Sequence, residues 1–192
     1  MSLTEEDHKT YLRLAITESQ KSPPKPTNFR VGAVLVSPSK TENPVLATGY
    51  TLEMPGNTHA EQSCFIKLAA LTMVPIVSGG VGGAPNNATT ALEEALGLRM
   101  TGDEVLYTTM EPCNQRSVGN ATCVDRILAL KKEDGGQVVR KVVVGVREPE
   151  KFVGENEGRK RLEEAGIEVV LVEGFEEEIL GIATAGHEKG EE

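Results

Sequence analysis

The sequence predicts a three-layer α/β fold, in which helices cover both faces of one mixed five-stranded sheet. Strand-like and helical segments alternate after residue 58, and a helix that crosses between two strands implies that these strands run parallel. Before that point, two apolar runs separated by a short polar loop predict an antiparallel hairpin. The chain has 192 residues, 39% of them hydrophobic, which is enough to fill one such domain.

The first part of the chain predicts one helix and the hairpin. Thr4 is a plausible N-cap for a helix that keeps helical apolar spacing to about Ser19. The Pro-rich segment 22–26 then ends the helix. Residues 31–37 are apolar and rich in Val, which favours a buried strand, and residues 45–51 are its predicted partner.

A second helix is predicted over residues 58–72, with Thr58 as its N-cap. His59 and Glu61 then lie in the first turn of this helix. That turn is the positive end of the helix dipole, where a negatively charged carboxylate is stabilised.

The segment 75–100 is predicted to be an insertion ahead of the next strand. Residues 77–87 are rich in Gly, Pro and Asn and predict a loop. Thr89 or Thr90 is the candidate cap of a short helix that ends near Gly97. Beyond it, apolar runs and turn signals predict strand 104–110, helix 123–132, strand 138–146, helix 157–165 and strand 167–172.

The composition of the chain indicates which class of substrate it binds. The formal net charge is −9, aromatic residues make up 4%, and Trp is absent. Proteins that bind a nucleic-acid backbone usually present a basic face and aromatic stacking platforms, so a small-molecule substrate is favoured over a polynucleotide. No apolar stretch has the length of a membrane helix, and the acidic N-terminus lacks the apolar core of a signal peptide.

The number of cysteines indicates whether the protein belongs in a reducing or an oxidising compartment of the cell. Three cysteines are present, an odd number, and two of them are candidate metal ligands. A disulfide framework is therefore not expected, and a reducing cytoplasm is the expected location. We expect one domain over residues 1–182 and a polar, acidic, disordered tail over residues 183–192.

Four residues in two short motifs carry the chemistry. His59 and Glu61 form a His-x-Glu motif; Cys113 follows about fifty residues later, and Cys123 comes after it. One histidine and two cysteines are good ligands for Zn²⁺, and three protein ligands leave the fourth tetrahedral position open, as in catalytic sites. Each motif alone is a weak signal. Together they match the zinc deaminase signature, which predicts hydrolysis of a C–NH2 group by a zinc-activated water, with Glu61 moving the proton.

The spacing of the two cysteines departs from that signature. Nine residues, 114–122, stand where two are usual, so the intervening loop must fold back. The third cysteine, Cys64, lies on a different face of its predicted helix from His59 and is interpreted as a core residue. His8 and His187 lie in polar terminal segments and are expected at the solvated surface.

These motifs resemble those of the riboflavin-pathway pyrimidine deaminases, particularly the fungal ones. The resemblance spans about residues 28–172, and the long cysteine spacing is its most discriminating element. The segments that carry it are 28–34, 59–61, 107–113, 123–127, 142–149 and 158–167.

The resemblance implies a cytidine-deaminase-like fold and a Zn²⁺ cofactor. It implies that the substrate is 2,5-diamino-6-ribitylamino-4(3H)-pyrimidinone 5′-phosphate, which loses its 2-amino group. Asn28 would contact this substrate, and the 114–122 loop would cover the ribityl phosphate. Arg116 is the predicted phosphate partner, since a guanidinium matches phosphate oxygens, and Asn120 is a further substrate-binding candidate. Relatives of this kind usually associate, so a homodimer is expected.

Two other hypotheses are open at this point. Another small-molecule zinc deaminase, of the deoxycytidylate or cytidine type, would share the mechanism and differ in the loop. A catalytically silent subunit would need no carboxylate beside an open ligand position, so Glu61 argues against it. A role in tRNA editing is disfavoured by the net charge of −9.

Overall fold

The computed structural model describes residues 3–73, 90–147 and 157–187, so the predicted loop 77–87 lies outside the described residues. No helix among them is long and apolar enough to cross a bilayer. The described elements are α1 Glu5–Ser19, β1 Gly32–Val36, β2 Val45–Tyr50, α2 Ala60–Met73, α3 Ala91–Gly97, β3 Glu104–Met110, α4 Cys123–Ala129, β4 Val139–Val146, α5 Glu157–Glu164, β5 Glu168–Leu171 and α6 Glu176–Ala183.

Most elements lie close to their predicted positions, and the largest shift is at the end of α4. This helix ends at Ala129, although the prediction extends to residue 132. Leu130 leaves the helical conformation, with ψ at 88°, and Lys131 pairs with Gln137 in an isolated β-bridge. The bridge draws the chain into a turn that leads directly into β4.

The five strands form one mixed sheet in the order β2-β1-β3-β4-β5. β1 pairs antiparallel with β2 and β3, whereas β3, β4 and β5 run parallel. α4 and α5 make the crossovers that the parallel pairs require. The predicted fold class is therefore confirmed, including the antiparallel hairpin at one edge.

Helices cover both faces of the sheet, and each face has its own buried apolar cluster. Along β1, Leu35 belongs to the cluster that contains Phe65 of α2. The adjacent Val34 belongs to the opposite cluster, with Leu12 of α1. Successive strand residues point to opposite faces, so β1 contributes to both layers. α2, α3, α4 and α5 lie on one face, and α1 and α6 lie on the other.

At one end of the sheet, the segment before β1, the segment after β2 and the end of β3 lie side by side. The carboxyl ends of β2 and β3 lie beside the start of β1, because β1 runs antiparallel to both. The Thr51 N–H donates to the Val31 carbonyl at 2.9 Å. The Gly32 N–H donates to the Thr109 hydroxyl at 3.2 Å. These bonds hold the segments before β1, after β2 and along β3 together at this end.

Gly49 of β2 allows α2 to approach the sheet closely. A Cβ atom at this position would lie 2.7 Å from the Cys64 nitrogen and still closer to the Ala60 carbonyl oxygen. Both are backbone atoms, so no flexible side chain can move away. We expect Gly49→Ala to lower the free energy of unfolding by about 1–3 kcal/mol in urea denaturation, because the added methyl group overpacks this contact.

Gly181 of α6 is the matched control for that substitution. A Cβ atom at Gly181 meets no atom of the described residues within 4 Å. Gly181→Ala should therefore raise the free energy of unfolding by about 0.5–1 kcal/mol, because Ala has the higher helix propensity. A Gly49→Ala protein as stable as the wild type would contradict the close approach of α2 to β2.

Two histidines that were expected at the solvated surface are only half-exposed, and both contact aromatic side chains. His8 Nδ1 lies 2.8 Å from the Tyr107 hydroxyl oxygen. Burial, aided by the positive charge of Lys141, lowers the pKa of His8. The His187 ring packs on Phe29, with centroids 4.8 Å apart. Both aromatic partners are distant along the chain, and the polar local sequence gives no sign of them.

The C-terminal part of the described chain extends past the predicted start of the tail. α6 ends at Ala183, which is fully buried. Residues 184–187 form a turn after the helix and carry His187 to Phe29. The predicted start of the disordered tail at residue 183 is therefore too early, and residues 188–192 lie outside the described residues.

Candidate metal centre and active site

The four motif residues converge at the end of the sheet that carries the carboxyl ends of β2 and β3. His59 directly precedes α2, and Glu61 is the second residue of that helix. Cys113 follows the end of β3 by three residues, and Cys123 is the first residue of α4. α2 and α4 pack on the same face of the sheet, so their first turns lie beside the carboxyl end of β3.

α2 begins at Ala60, and Thr58 is not its cap as predicted. The Thr58 hydroxyl donates to the Met54 carbonyl at 3.1 Å and accepts from the Met54 N–H at 3.2 Å. Thr58 is therefore occupied in closing the preceding turn. His59 takes the position immediately before the helix, and from there its ring reaches both cysteines.

The donor atoms of His59, Cys113 and Cys123 fit a zinc ion. His59 Nδ1 lies 3.4 Å from Cys113 Sγ and 3.3 Å from Cys123 Sγ, and all three donors lie within 4.8 Å of one another. Zinc bond lengths of about 2.1 Å to nitrogen and about 2.3 Å to sulfur at a tetrahedral angle place a nitrogen donor and a sulfur donor about 3.6 Å apart. Among the described residues, this is the group of His, Cys, Asp and Glu side chains close enough to hold a metal ion.

The two thiols have different acidities. Hydrogen bonds from the Cys123 thiol and from His59, together with the positive charge of His59, lower the pKa of Cys113 to about 4. The same shared hydrogen bond, together with burial, raises the pKa of Cys123. The Cys123 N–H also donates to Cys113 Sγ at 3.4 Å, which supports a negative sulfur. One thiolate is thus ready for a metal ion, and binding of the ion would release the second proton.

Glu61 is a buried carboxylate directly beside this donor group. Its Oε2 lies 3.3 Å from Cys123 Sγ. Burial raises the pKa of Glu61, and the negative charge of Cys113 raises it further. A higher pKa makes the Glu61 carboxylate a stronger base, which favours proton transfer in general acid–base chemistry.

His59, Glu61 and Cys113 line one pocket, and Asn28 lies in the same lining. Asn57 is a further lining residue, and its side-chain oxygen accepts a hydrogen bond from Asn28 Nδ2 at 2.8 Å. Sequence reasoning missed Asn57. Its position two residues before His59 was an available signal, because the turn that places His59 also carries Asn57.

The two other predicted substrate residues lie at different places. Arg116 does not line the pocket but contacts a lining residue: its Nη2 donates to the Asn57 carbonyl at 2.5 Å, and its Nη1 donates to the Ala121 carbonyl at 3.4 Å. Asn120 lines a second cleft between the loop 114–122 and α3. There its amide donates to the Ser117 hydroxyl at 2.9 Å. Arg116 is therefore connected to the pocket through Asn57, whereas Asn120 lines a different cleft.

The insertion is tied to α4 by a buried ion pair. Arg126 Nη1 of α4 lies 2.6 Å from Glu93 Oε1 of α3, and both side chains are almost completely buried. Burial raises the pKa of Glu93, and Arg126 opposes this rise. A buried charge without its partner is costly, so the pair fixes α3 against the helix that carries Cys123. Residues 75–89 of the insertion lie outside the described residues.

The interpretation of Cys64 as a core residue is confirmed. Its side chain is fully buried, and its Sγ donates to the Ala33 carbonyl at 3.4 Å. Burial raises the pKa of this thiol well above its usual value. Cys64 is therefore a neutral thiol within the apolar layer between α2 and the sheet.

Sequence comparison identifies relatives of the chain. The zinc-binding region of cytidine and deoxycytidylate deaminases matches residues 5–135. A curated diaminohydroxyphosphoribosylamino-pyrimidine deaminase from Schizosaccharomyces pombe is 34% identical over 181 residues, which are 94% of this chain and 36% of that protein. The chain therefore spans little more than a third of the length of this relative.

Solved structures resemble the chain as well. A C-terminal deletion mutant of Aspergillus oryzae Rib2 deaminase at pH 6.5 is 39% identical, with a TM-score of 0.74 over 94% of this chain and 92% of that chain. The same deletion mutant in complex with DARIPP is 40% identical, with a TM-score of 0.74 and the same shares covered, 94% and 92%. A Thermotoga maritima deaminase/reductase has a similar fold at 22% identity and a TM-score of 0.62, over 95% of this chain and 40% of that chain. The chain belongs to the cytidine and deoxycytidylate deaminases, and within them to the family of the Rib2 deaminase.

Proposed function

We propose that this protein removes the 2-amino group of 2,5-diamino-6-ribitylamino-4(3H)-pyrimidinone 5′-phosphate by zinc-assisted hydrolysis. The observation that carries the proposal is the position of Glu61, whose carboxylate lies 3.3 Å from Cys123 Sγ in the pocket that His59 and Cys113 line. A phosphorylated diaminopyrimidine is suggested by the name of the S. pombe relative, a diaminohydroxyphosphoribosylamino-pyrimidine deaminase, and by the complex of Rib2 deaminase with DARIPP. The choice of the ribityl form follows the resemblance of the motifs to those of the fungal deaminases.

Each residue of the site has one part in this reaction. His59, Cys113 and Cys123 would hold the zinc ion. A zinc ion in such a site supplies a Lewis acid that lowers the pKa of water to about 7. Glu61 accepts one proton of the attacking water and passes it to the ring nitrogen of the pyrimidine. It then accepts the second proton, from the hydroxyl group that has added to the ring carbon, and transfers it to the amine, which departs as ammonia while the C=O bond forms. Burial favours this exchange because it raises the pKa of Glu61 and so makes its carboxylate a stronger base.

Asn28, Asn57 and Arg116 are connected by hydrogen bonds, and in this proposal they orient the substrate. Asn28 lines the pocket and binds Asn57, whose carbonyl in turn accepts from Arg116. A guanidinium group has five N–H donors, so the two carbonyl contacts of Arg116 leave donors to meet a phosphate. The predicted phosphate role of Arg116 is kept on this ground, whereas the location of Asn120 favours no contact with a pyrimidine in this pocket.

Arg116→Ala should raise KM for the phosphorylated pyrimidine by about 10–100-fold, because a charge-assisted hydrogen bond is worth about 1.5–3 kcal/mol. KM for the dephosphorylated pyrimidine should change much less. Steady-state kinetics on the two substrates measures the difference. Arg140→Ala is the control, because Arg140 is exposed and lies in a cleft lined by His8 and Glu168, away from the pocket. Equal effects of Arg116→Ala on both substrates would exclude the phosphate contact.

The substrate itself is tested by ammonia release from four compounds. These are the ribitylaminopyrimidine phosphate, its ribosyl form, deoxycytidylate and cytidine. The proposal predicts the highest kcat/KM for the ribityl compound. A higher value for deoxycytidylate or cytidine would favour the other small-molecule deaminase, and no ammonia from any compound with zinc-loaded protein would favour the silent subunit.

The homodimer stays a prediction, and sedimentation of the zinc-loaded protein would test it. Two copies would sediment at twice the chain mass of 20.6 kDa. A sedimentation mass of a single chain would contradict this part of the proposal and leave the assignment of the reaction unchanged.

A further inference from the structure

Arg161 of α5 reaches both segments that carry the cysteine ligands. Its Nη1 donates to Asn114 Oδ1 at 2.6 Å, and its Nη2 donates to Asp125 Oδ1 at 2.7 Å. Asn114 directly follows Cys113, and Asp125 lies two residues after Cys123. One guanidinium group thus spans the two ends of the loop 114–122.

Asp125, whose side chain accepts from Arg161, is held in place by two hydrogen bonds to Thr122 at the start of α4. Asp125 Oδ2 accepts from the Thr122 N–H at 3.0 Å, and the Asp125 N–H donates to the Thr122 hydroxyl at 3.0 Å. This capping box fixes the first turn of α4, where Cys123 is the first residue. Arg161 therefore binds the Asp125 carboxylate, whose position relative to the Cys123 backbone is already fixed by the capping box.

The bond from Arg161 to Asn114 restrains the segment that carries the other cysteine ligand, Cys113. Cys113 is connected to α4 by two weaker contacts, from the Val124 N–H to the Cys113 carbonyl at 3.2 Å and from the Cys123 N–H to Cys113 Sγ at 3.4 Å. Arg161 adds a short charge-assisted bond from the next residue, and such bonds are about twice as strong as neutral ones. The planar fork also sets the separation of its two acceptors, which a point charge cannot do.

The neighbours of Arg161 show that this arrangement is specific to one residue. Arg159 pairs with Glu163, and Lys160 pairs with Glu164, both within α5. Arg161 is the third of three consecutive basic residues, and it alone of these three binds the two ligand-carrying segments. α5 is itself held to the sheet by the buried Leu162, so Arg161 projects from a fixed support.

We propose that Arg161 is a positioning residue for the metal centre. It holds Cys113 and Cys123 at the separation that a zinc ion requires, and through them it sets the affinity for the ion. The proposal rests on the zinc site of the proposed function, and it is independent of which pyrimidine is the substrate.

The test compares zinc-loaded wild type with Arg161→Ala, Arg161→Lys and Arg159→Ala. A chromophoric zinc chelator measures the dissociation constant, and cobalt replacement gives the visible thiolate–cobalt absorption. Loss of a residue that orients metal ligands typically costs 10–100-fold in affinity, so Arg161→Ala should raise the zinc dissociation constant by about that factor and alter the cobalt spectrum. Arg161→Lys should recover part of the affinity, and Arg159→Ala should match the wild type.

A second comparison shows whether the effect passes through the contact with Asn114. Asn114→Ala should weaken zinc binding, and the double variant with Arg161→Ala should lose less than the product of the two single losses. Unchanged zinc affinity and an unchanged cobalt spectrum in folded Arg161→Ala or Arg161→Lys would overturn the proposal. A loss of zinc affinity in Arg159→Ala equal to that in Arg161→Ala would also overturn it. None of these readouts needs a substrate, so they are separate from the test of the reaction.

Discussion

Glu61→Gln is expected to keep about one zinc ion per chain and to lower kcat by about 10²–10⁴-fold, the usual contribution of a general acid–base residue. The amide has nearly the same shape as the carboxylate and can still occupy the position beside Cys123 Sγ, but it cannot carry a proton. KM should change little, because the proposed role of Glu61 is in proton transfer. Zinc analysis and steady-state kinetics measure the two quantities on one preparation.

The control for this substitution is Glu177→Gln, which makes the same chemical change on an exposed residue of α6. It should leave kcat, KM and zinc content unchanged. If Glu61→Gln retained wild-type turnover with full zinc, another group would have to be the proton carrier. If it lost zinc together with activity, Glu61 would support the metal centre and its role in proton transfer would be unproven.

Cys123→Ala is expected to abolish stoichiometric zinc binding and deaminase activity together. It removes one of three donors and also the thiol that bonds to His59 and Glu61. A ligand that binds only the folded state stabilises that state, so zinc should raise the melting temperature of the wild type and leave this variant unchanged. Zinc analysis after dialysis and melting curves with and without added zinc measure both effects.

Cys64→Ala is the matched control, because it also removes a buried thiol but lies outside the donor group. It should cost about 1 kcal/mol of stability, as an ordinary core truncation does, and keep one zinc ion per chain. Equal zinc loss in both variants would mean that the cysteine effect is a folding effect. Full zinc content in Cys123→Ala would remove Cys123 from the ligand set.

Sequence reasoning recovered the parts of the fold that depend on local pattern. The alternation of apolar runs and helical segments predicted the five strands and their mixed pairing, because periodicity and connection length constrain topology strongly. The candidate metal ligands were predictable for a similar reason: the chemistry restricts both the residue types and their order along the chain. The grouping of His59, Cys113 and Cys123 in space agrees with that expectation.

The parts that sequence reasoning missed depend on contacts between distant segments. Thr58 has the right residue type for a cap, but the preceding turn places Met54 within reach of its hydroxyl. Asn120 lies in the same loop as Arg116, yet the fold of that loop turns Asn120 into a different cleft. Arg161 is one of three adjacent basic residues, and only the packing of α5 beside α4 distinguishes it.

The central claim is that a solvent oxygen replaces the 2-amino group of a ribitylaminopyrimidine phosphate in this pocket. The most direct measurement is the mass of the pyrimidine product formed in oxygen-labelled water, together with the ammonia released, using zinc-loaded protein. We predict one ammonia per product molecule and one labelled oxygen in the ring product. Release of ammonia without solvent oxygen in the product, or no conversion of this compound by the zinc-loaded protein, would contradict the claim.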